Sequence, residues 1–138
     1  MRLTQLAERV EVNEWVLEEW ADQDIPVSTG LVAQGDVVFV PEEMAAANGV
    51  KVGGADWVEV TERVLVEGTH RHVLIAEKGV CRFSVAAVDS VGLAVGVIDC
   101  DAPVFVVHAE HGAVGLAAGR WVVRRTREQA AEIRRVMD

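Results

Sequence analysis

The sequence predicts a mainly β domain, either a small barrel or a sandwich, that ends in a short C-terminal α-helix. Three observations predict this class. Val-rich runs of a few residues recur along the chain, Gly or Asp separates many of them, and the last residues change to helical spacing. A length of 138 residues fits a single domain. We therefore divide the chain into a segment over 1–26, a β core over 27–125 and a helix over 126–138.

The N-terminal segment is compatible with either a helix or a loop. Asn13 is a good helix N-cap, Trp15 begins a partial apolar face, and Pro26 would end the helix. Charges occur early, and no apolar run reaches the ~18 residues of a membrane span. Two cysteines, Cys81 and Cys100, are predicted to be free thiols packed as small apolar residues. We therefore expect a cytoplasmic protein without a signal peptide.

Nine short runs form the predicted β core. They are Val37–Val40, Trp57–Val60, Arg63–Val66, His72–Ala76, Cys81–Val88, Leu93–Ile98, Val104–His108, Ala113–Leu116 and Trp121–Arg125. Gly35 and Asp36 predict a turn before the first run. The stretch from Pro41 to Ala47 predicts one helical turn with Pro at its start.

The C-terminal segment carries the clearest helix signal. Thr126 to Gln129 is a capping box, with Thr at the cap and Gln three residues later. Ala130, Ile133 and Met137 then line one side at helical spacing. Such a helix would cover an edge strand or one end of the β core.

Charge is distributed unevenly along the chain. Residues 1–66 hold 13 acidic and 4 basic residues, and residues 67–138 hold 9 of each, which gives a net charge of −9. An acidic protein is a poor general binder of nucleic acid. Three arginines near the end, Arg120, Arg124 and Arg125, predict either a local anion site or partners for the acidic half of the chain.

All four histidines fall into two short pairs, and these pairs carry the predicted chemistry. His70 and His72 would lie on one face of an extended strand, because side chains alternate along a strand. His108 and His111 would share a face if the chain turns between them. Imidazoles placed in this way bind divalent metals. We therefore predict one metal site for Zn, Mn, Fe or Ni, built from these histidines.

Two glutamates are candidates for the remaining chemistry of this site. Glu77 or Glu110 would be the fourth ligand or the general base. Two other interpretations of the histidines stay open: structural side chains bonded to backbone groups, and metal-free acid–base residues. The arginines near the end of the chain suggest that a substrate would be an anion.

The segment from His70 to Glu77, H-x-H-x(4)-E, resembles the first motif of the cupin superfamily. Cupins are small β-barrels that bind Fe, Mn, Ni or Zn through these residues and a later histidine. The resemblance implies a metal-binding barrel with His70, His72 and Glu77 as ligands. Val64 and Ser84 stand where the cupin motif has glycines, and no P-x-G turn precedes a later histidine.

A longer stretch is similar to a group of small, uncharacterised bacterial and phage proteins. The shared features are, in order, Gly35–Val40, Glu67–His72, His108–Gly112 and Gly119–Arg125. At these places the group has G-D-V-L, T-G-H-x-H, H-x-x-H-G and a closing G-x-Y-x-V-x-R. The resemblance implies a shared small β fold and a common role for the histidine pairs.

The leading hypothesis is a metal-binding, cupin-like β-barrel protein of unknown substrate, with enzymatic activity left open. The alternative is a non-catalytic assembly protein, such as a phage-derived structural or accessory component. In that case the acidic and Arg-rich segments would pair in a homo-oligomer or with a partner chain. A small nucleotide- or RNA-binding barrel is a third class, which the net negative charge and the absence of Tyr disfavour.

Overall fold

The computed structural model describes residues 25–52, 56–85, 87–88 and 92–126. The helices predicted at the two ends of the chain lie outside these residues. The described part contains thirteen strands and one helix. They are β1 Val27–Ser28, β2 Val32–Gln34, β3 Val37–Pro41, α1 Glu42–Ala47, β4 Lys51–Val52, β5 Val58–Val60, β6 Glu62–Val66, β7 His72–Ile75, β8 Cys81–Ser84, β9 Ala87–Val88, β10 Ala94–Cys100, β11 Val104–His108, β12 Gly112–Leu116 and β13 Gly119–Arg125. In this part of the chain, no helix has the length and apolar character that a membrane span needs.

Most of the strands form two sheets that pack face to face. The first sheet has the order β1-β12-β11-β7-β6, and the second has the order β2-β3-β13-β10-β8-β5. Neighbours are antiparallel, except that β1 runs parallel to β12. Each sheet keeps two edge strands, so the described strands form an open sandwich. The predicted sandwich is confirmed and the predicted barrel is wrong, because alternating Val-rich strands give the same sequence pattern in both architectures.

The main core fills the space between the two sheets. It takes side chains from both, including Phe39 and Trp121 of the second sheet and Leu74 and Val106 of the first. Side chains alternate along a strand, so Val122 points to the outer face of the second sheet, where it packs beneath α1. Each of these fully buried apolar side chains stabilises the fold by about 1.5–3 kcal/mol. The result is a firm scaffold for the loops at its ends.

Three hairpin loops and the end of β13 meet at one end of the sandwich. The turn Gly35–Asp36 joins β2 to β3, residues 67–71 join β6 to β7, and residues 109–111 join β11 to β12. Gly35 has φ +59°, and Gly112, directly after the third loop, has φ +76°. Glycine adopts these values without strain. The turn predicted at Gly35 and Asp36 is therefore confirmed, and the chain also turns between His108 and His111.

The first histidine pair does not share a strand. Strand β7 begins at His72, and His70 lies in the loop that precedes it. The expectation that both rings project from one strand face is therefore wrong. The physical reason is that β6 and β7 are antiparallel neighbours, so the chain needs residues 67–71 to reverse its direction.

Both cysteines are free and buried, as predicted. Cys81 and Cys100 lie opposite each other on β8 and β10. Burial raises the pKa of the Cys81 thiol to about 12 and that of Cys100 to about 11. Both thiols therefore stay protonated near neutral pH and pack as small apolar side chains.

Candidate functional site

An open pocket of about 680 Å³ lies at the end of the sandwich where the hairpin loops meet. All four histidines line it, together with three carboxylate side chains. The lining residues are Gly35, Asp36, Val66, Glu67, Gly68, Thr69, His70, His72, His108, Glu110, His111 and Thr126. The structure thus brings the two predicted histidine pairs into one site.

His72 is the most buried histidine of the pocket, with 2% of its surface exposed. Its Nδ1 lies 2.9 Å from Oε1 of Gln34. The Gln34 amide nitrogen donates to the carbonyl oxygens of Val106 and Gly112, each at 2.9 Å. These two bonds fix the orientation of the amide, so its oxygen faces His72 as an acceptor. A neutral His72 therefore carries its proton on Nδ1 and presents a lone pair on Nε2.

The lone pair of His72 faces the carboxylate of Asp36. His72 Nε2 lies 3.2 Å from Asp36 Oδ1. Burial lowers the pKa of His72, and the hydrogen bond and negative charge of Asp36 oppose this shift without reversing it. With the imidazole neutral, neither of the two facing atoms has a proton to donate. The contact is therefore favourable either when His72 is protonated or when another cation lies between the two atoms.

His108 has the opposite tautomer. Its Nδ1 accepts the backbone N–H groups of Glu110 at 3.2 Å and His111 at 3.1 Å. A ring nitrogen that accepts hydrogen bonds is unprotonated, so the proton of the neutral ring lies on Nε2. Burial, followed by repulsion from the neighbouring imidazoles, lowers the pKa of His108 to about 4. The ring is thus neutral near pH 7 and holds its own hairpin loop in place.

His70 and His111 are the more exposed histidines of the cluster. The His111 ring stacks on His108 with centroids 4.8 Å apart, and the His70 ring meets His108 edge-on at 5.7 Å. His111 also packs against Gly35, where an added Cβ atom would lie 2.5 Å from His111 Cδ2. Within the described residues, no hydrogen bond occupies the ring nitrogens of His70 or His111. Both rings are therefore available to a ligand.

The lining of the pocket is acidic. Asp36, Glu67 and Glu110 supply three carboxylates, and neither lysine nor arginine is among the described lining residues. Such a lining attracts cations. In the observed arrangement, no three described His, Cys, Asp or Glu side chains form a group that could hold a metal ion. A metal site here therefore requires the exposed rings of His70 and His111 to rotate.

Several residues predicted for the site lie elsewhere. Glu110 lines the pocket, but Glu77 follows the far end of β7. A strand rises about 3.3 Å per residue, which places Glu77 on the order of 15 Å from His72. The ligand set implied by the cupin resemblance is therefore not assembled. Arg124 and Arg125 are half-buried near the end of β13 and do not line the pocket either.

Arg120 belongs to a row of alternating charges on the outer face of the second sheet. We name this row, Arg82, Asp99, Arg120 and Glu42, the charge ladder. Asp99 lies 2.7 Å from Arg82 and 3.4 Å from Arg120, which in turn lies 3.6 Å from Glu42. The ring of Trp57 lies against both guanidinium groups, at 4.4 and 5.2 Å. Because each charge has an opposite neighbour, Arg120 is not placed as a free anion site.

Two residues of the site, Gln34 and Asp36, are not among those predicted from the sequence. Asp36 was identified only as part of a turn, because Gly-Asp is typical of hairpin turns whatever the carboxylate does. Gln34 follows Val32 by two residues in a strand, so alternation places its polar side chain on the inner face. That polar residue on an apolar face is the signal that could have identified it, since buried polar groups need hydrogen-bond partners.

The fold and the pocket define a small β-sandwich domain with a histidine-lined site at its loop end. Residues 33–126 match the family described as a domain of unknown function, DUF8820, and the chain belongs to this family. The match contains all twelve residues that line the pocket. No curated protein and no solved structure matches the chain.

Proposed function

We propose that this domain binds one divalent transition-metal ion in the histidine-lined pocket. His72 Nε2 and Asp36 Oδ1 would be the inner pair of ligands, and the rings of His70 and His111 would complete the set. Nitrogen and oxygen ligands of this kind suit zinc, and imidazole also suits iron and nickel. The observation that carries the proposal is the contact between His72 and Asp36.

The length of that contact is compatible with a shared metal ion. A charge-assisted hydrogen bond from an imidazolium to a carboxylate is about 2.7–2.9 Å long. Two atoms that each lie about 2.0–2.1 Å from a tetrahedral ion are about 3.3–3.4 Å apart. The separation of 3.2 Å between His72 Nε2 and Asp36 Oδ1 is closer to the second value.

Gln34 forms with His72 the hydrogen bond that metal-binding histidines commonly make through their second ring nitrogen. It accepts the Nδ1 proton of His72 and is itself held by two backbone carbonyls of the first sheet. A partner of this kind fixes the tautomer and the orientation of a ligating imidazole. The lone pair on Nε2 is therefore directed at the pocket before any metal arrives, which lowers the cost of binding.

The position of Glu110 supports its role as the general base if the site is catalytic. Of the two glutamates predicted for this role, Glu110 lines the pocket and Glu77 does not. Its backbone N–H also bonds to His108, which holds the loop that carries it. We therefore assign proton transfer in any reaction at this site to Glu110.

We extend the proposal to the cellular location and the assembly state of the protein. Both cysteines are free thiols, which supports a reducing, cytoplasmic location. The alternative of a charge-paired assembly has less support, because Arg82 and Arg120 already pair with Asp99 within one chain.

Isothermal titration of zinc into the untagged, chelator-treated protein tests the metal site. We expect one ion per chain in the wild type and no binding in the His70→Ala/His72→Ala variant. Asp36→Asn should weaken binding, whereas Asp99→Asn, which removes a carboxylate from the charge ladder, is the matched control and should bind as the wild type does. Equal zinc binding by the wild type and the double-alanine variant would refute the proposed site.

A further inference from the structure

We infer that His108 is not a metal ligand but a hydrogen-bond donor to an oxygen atom of a second ligand, a carboxylate, held in the same pocket. The role of the metal in this inference rests on the proposed function. The assignment of the His108 proton to Nε2 does not rest on the proposed function, since it follows from contacts within the described residues.

His108 could bind a metal ion through Nε2 only by giving up its hydrogen bonds to the backbone of its own loop. Glu110 and His111 direct their N–H groups at His108 Nδ1. If Nε2 bound a metal ion, the proton of the ring would have to move to Nδ1 and would face both of these donors. Metal binding would therefore break two hydrogen bonds that hold the third hairpin loop. His72 has no such conflict, because its Nδ1 faces the acceptor oxygen of Gln34.

The Nε2–H of His108 is open to the pocket. The ring lines the pocket, and its other nitrogen is directed at the loop backbone. No described residue accepts the Nε2 proton, and the atom is not sealed from solvent. The centroids of the His108 and His72 rings are 4.3 Å apart. A lone pair on His72 and an N–H donor on His108 therefore stand side by side.

This pairing suits a second ligand that has oxygen acceptors and a low negative charge, and we take a carboxylate as that ligand. A metal ion held by His72 would bind one oxygen of an incoming molecule, and the N–H of His108 would bond to an oxygen of the same molecule. Phosphate, with its higher charge, would meet Asp36, Glu67 and Glu110, and no lysine or arginine is among the described lining residues to offset the repulsion. A single carboxylate needs only the metal ion and the neutral donor.

Two substitutions of His108 test the roles of its two ring nitrogens separately. In His108→Asn the amide oxygen replaces Nδ1 as the acceptor for the loop, but nothing replaces the donor at Nε2. In His108→Gln the longer amide restores a donor near the Nε2 position and gives up the loop acceptor. The probe is acetate, titrated into the cobalt-loaded protein and followed by the visible absorption of cobalt.

We expect His108→Asn to retain one bound cobalt ion per chain and to bind acetate about tenfold more weakly, because one hydrogen bond to a charged acceptor is lost. His108→Gln should recover most of the acetate affinity. Loss of cobalt binding in His108→Asn, or an unchanged acetate affinity, would overturn the inference.

Nitrogen-15 NMR of the metal-free protein separates this inference from the proposed function. If the wild type binds no cobalt, the proposed metal site fails, but the spectrum still reports which ring nitrogen of His108 is protonated. A proton on Nε2 supports the donor role. A proton on Nδ1 overturns it, because the lone pair would then face the pocket.

Discussion

The histidine pocket and the charge ladder place polar side chains on the same sandwich in opposite ways. In the ladder, Arg82, Asp99 and Arg120 each lie within 3.6 Å of an opposite charge. In the pocket, His72 in its neutral form directs an acceptor nitrogen at the Asp36 carboxylate, and neither lysine nor arginine is among the described lining residues. A complete set of partners indicates a structural role, whereas acceptors gathered without a donor indicate a place for a ligand.

The largest contrast comes from removing one carboxylate from each region. Asp36→Asn should reduce zinc affinity at least about 100-fold, since even outer residues of metal sites contribute 10–100-fold. Asp99→Asn should leave zinc affinity unchanged. Competition with a chelating dye measures both constants. A similar loss in both variants would mean that the effect is general and that Asp36 is not a ligand.

Gln34 links the pocket to the core, so its loss should affect binding and stability together. Gln34→Leu leaves the Nδ1–H of His72 without an acceptor and removes one hydrogen bond from each of two backbone carbonyl oxygens, those of Val106 and Gly112. The unsatisfied buried donor costs about 1–3 kcal/mol and the two lost hydrogen bonds add to this, so we expect the free energy of unfolding to fall by at least about 2 kcal/mol. Zinc affinity should fall about 10–100-fold. Urea unfolding and zinc titration test this, and an unchanged zinc affinity would contradict the supporting role of Gln34.

The sequence could predict the sandwich better than the site. Val104–His108 was predicted with the bounds that β11 has, because alternation and flanking turns report local structure. The meeting of His72 with Gln34 and Asp36 depends on how two sheets stack, and no local pattern encodes that. Helical spacing at the chain end and the ligand roles of the histidines stay predictions.

Alanine substitutions at Gly35 and Gly79 distinguish the effect of backbone strain on zinc binding from the effect of displacing His111. Both glycines have positive φ, +59° and +79°, so alanine should cost roughly 1 kcal/mol of stability at either position. A Cβ atom at Gly35 would collide with His111, whereas at Gly79 nothing lies within 4 Å. Because the added Cβ atom limits the positions that the His111 ring can adopt when it rotates toward a metal ion, we expect weaker zinc binding in Gly35→Ala alone. Equal zinc affinities in the two variants would argue against His111 as a ligand.

The pocket should also make stability depend on pH. The pKa values of His72 and His108 are lowered in the folded protein, to about 4 for His108. The unfolded chain therefore binds protons first as the pH falls below about 6.5, and the free energy of unfolding should decrease between that value and about 4. His108→Asn should show a smaller decrease over this window in urea unfolding. An identical pH profile for this variant would contradict the lowered pKa of His108.

The smallest expected effect is in the charge ladder. Asp99→Asn removes the charge shared by Arg82 and Arg120, and partly exposed ion pairs contribute about 0–1 kcal/mol each. We expect a loss of about 1 kcal/mol in unfolding free energy that shrinks at high salt. A loss of several kcal/mol would mean that the ladder holds the fold far more strongly than its exposure suggests.

The metal site itself is tested most directly by elemental mass spectrometry of the protein purified without a His-tag or nickel resin. We predict close to one equivalent of zinc, iron, nickel or manganese per chain, and loss of that metal in the His72→Ala variant. A wild-type protein that carries no metal, and whose melting temperature does not change when zinc is added, would contradict the proposed function.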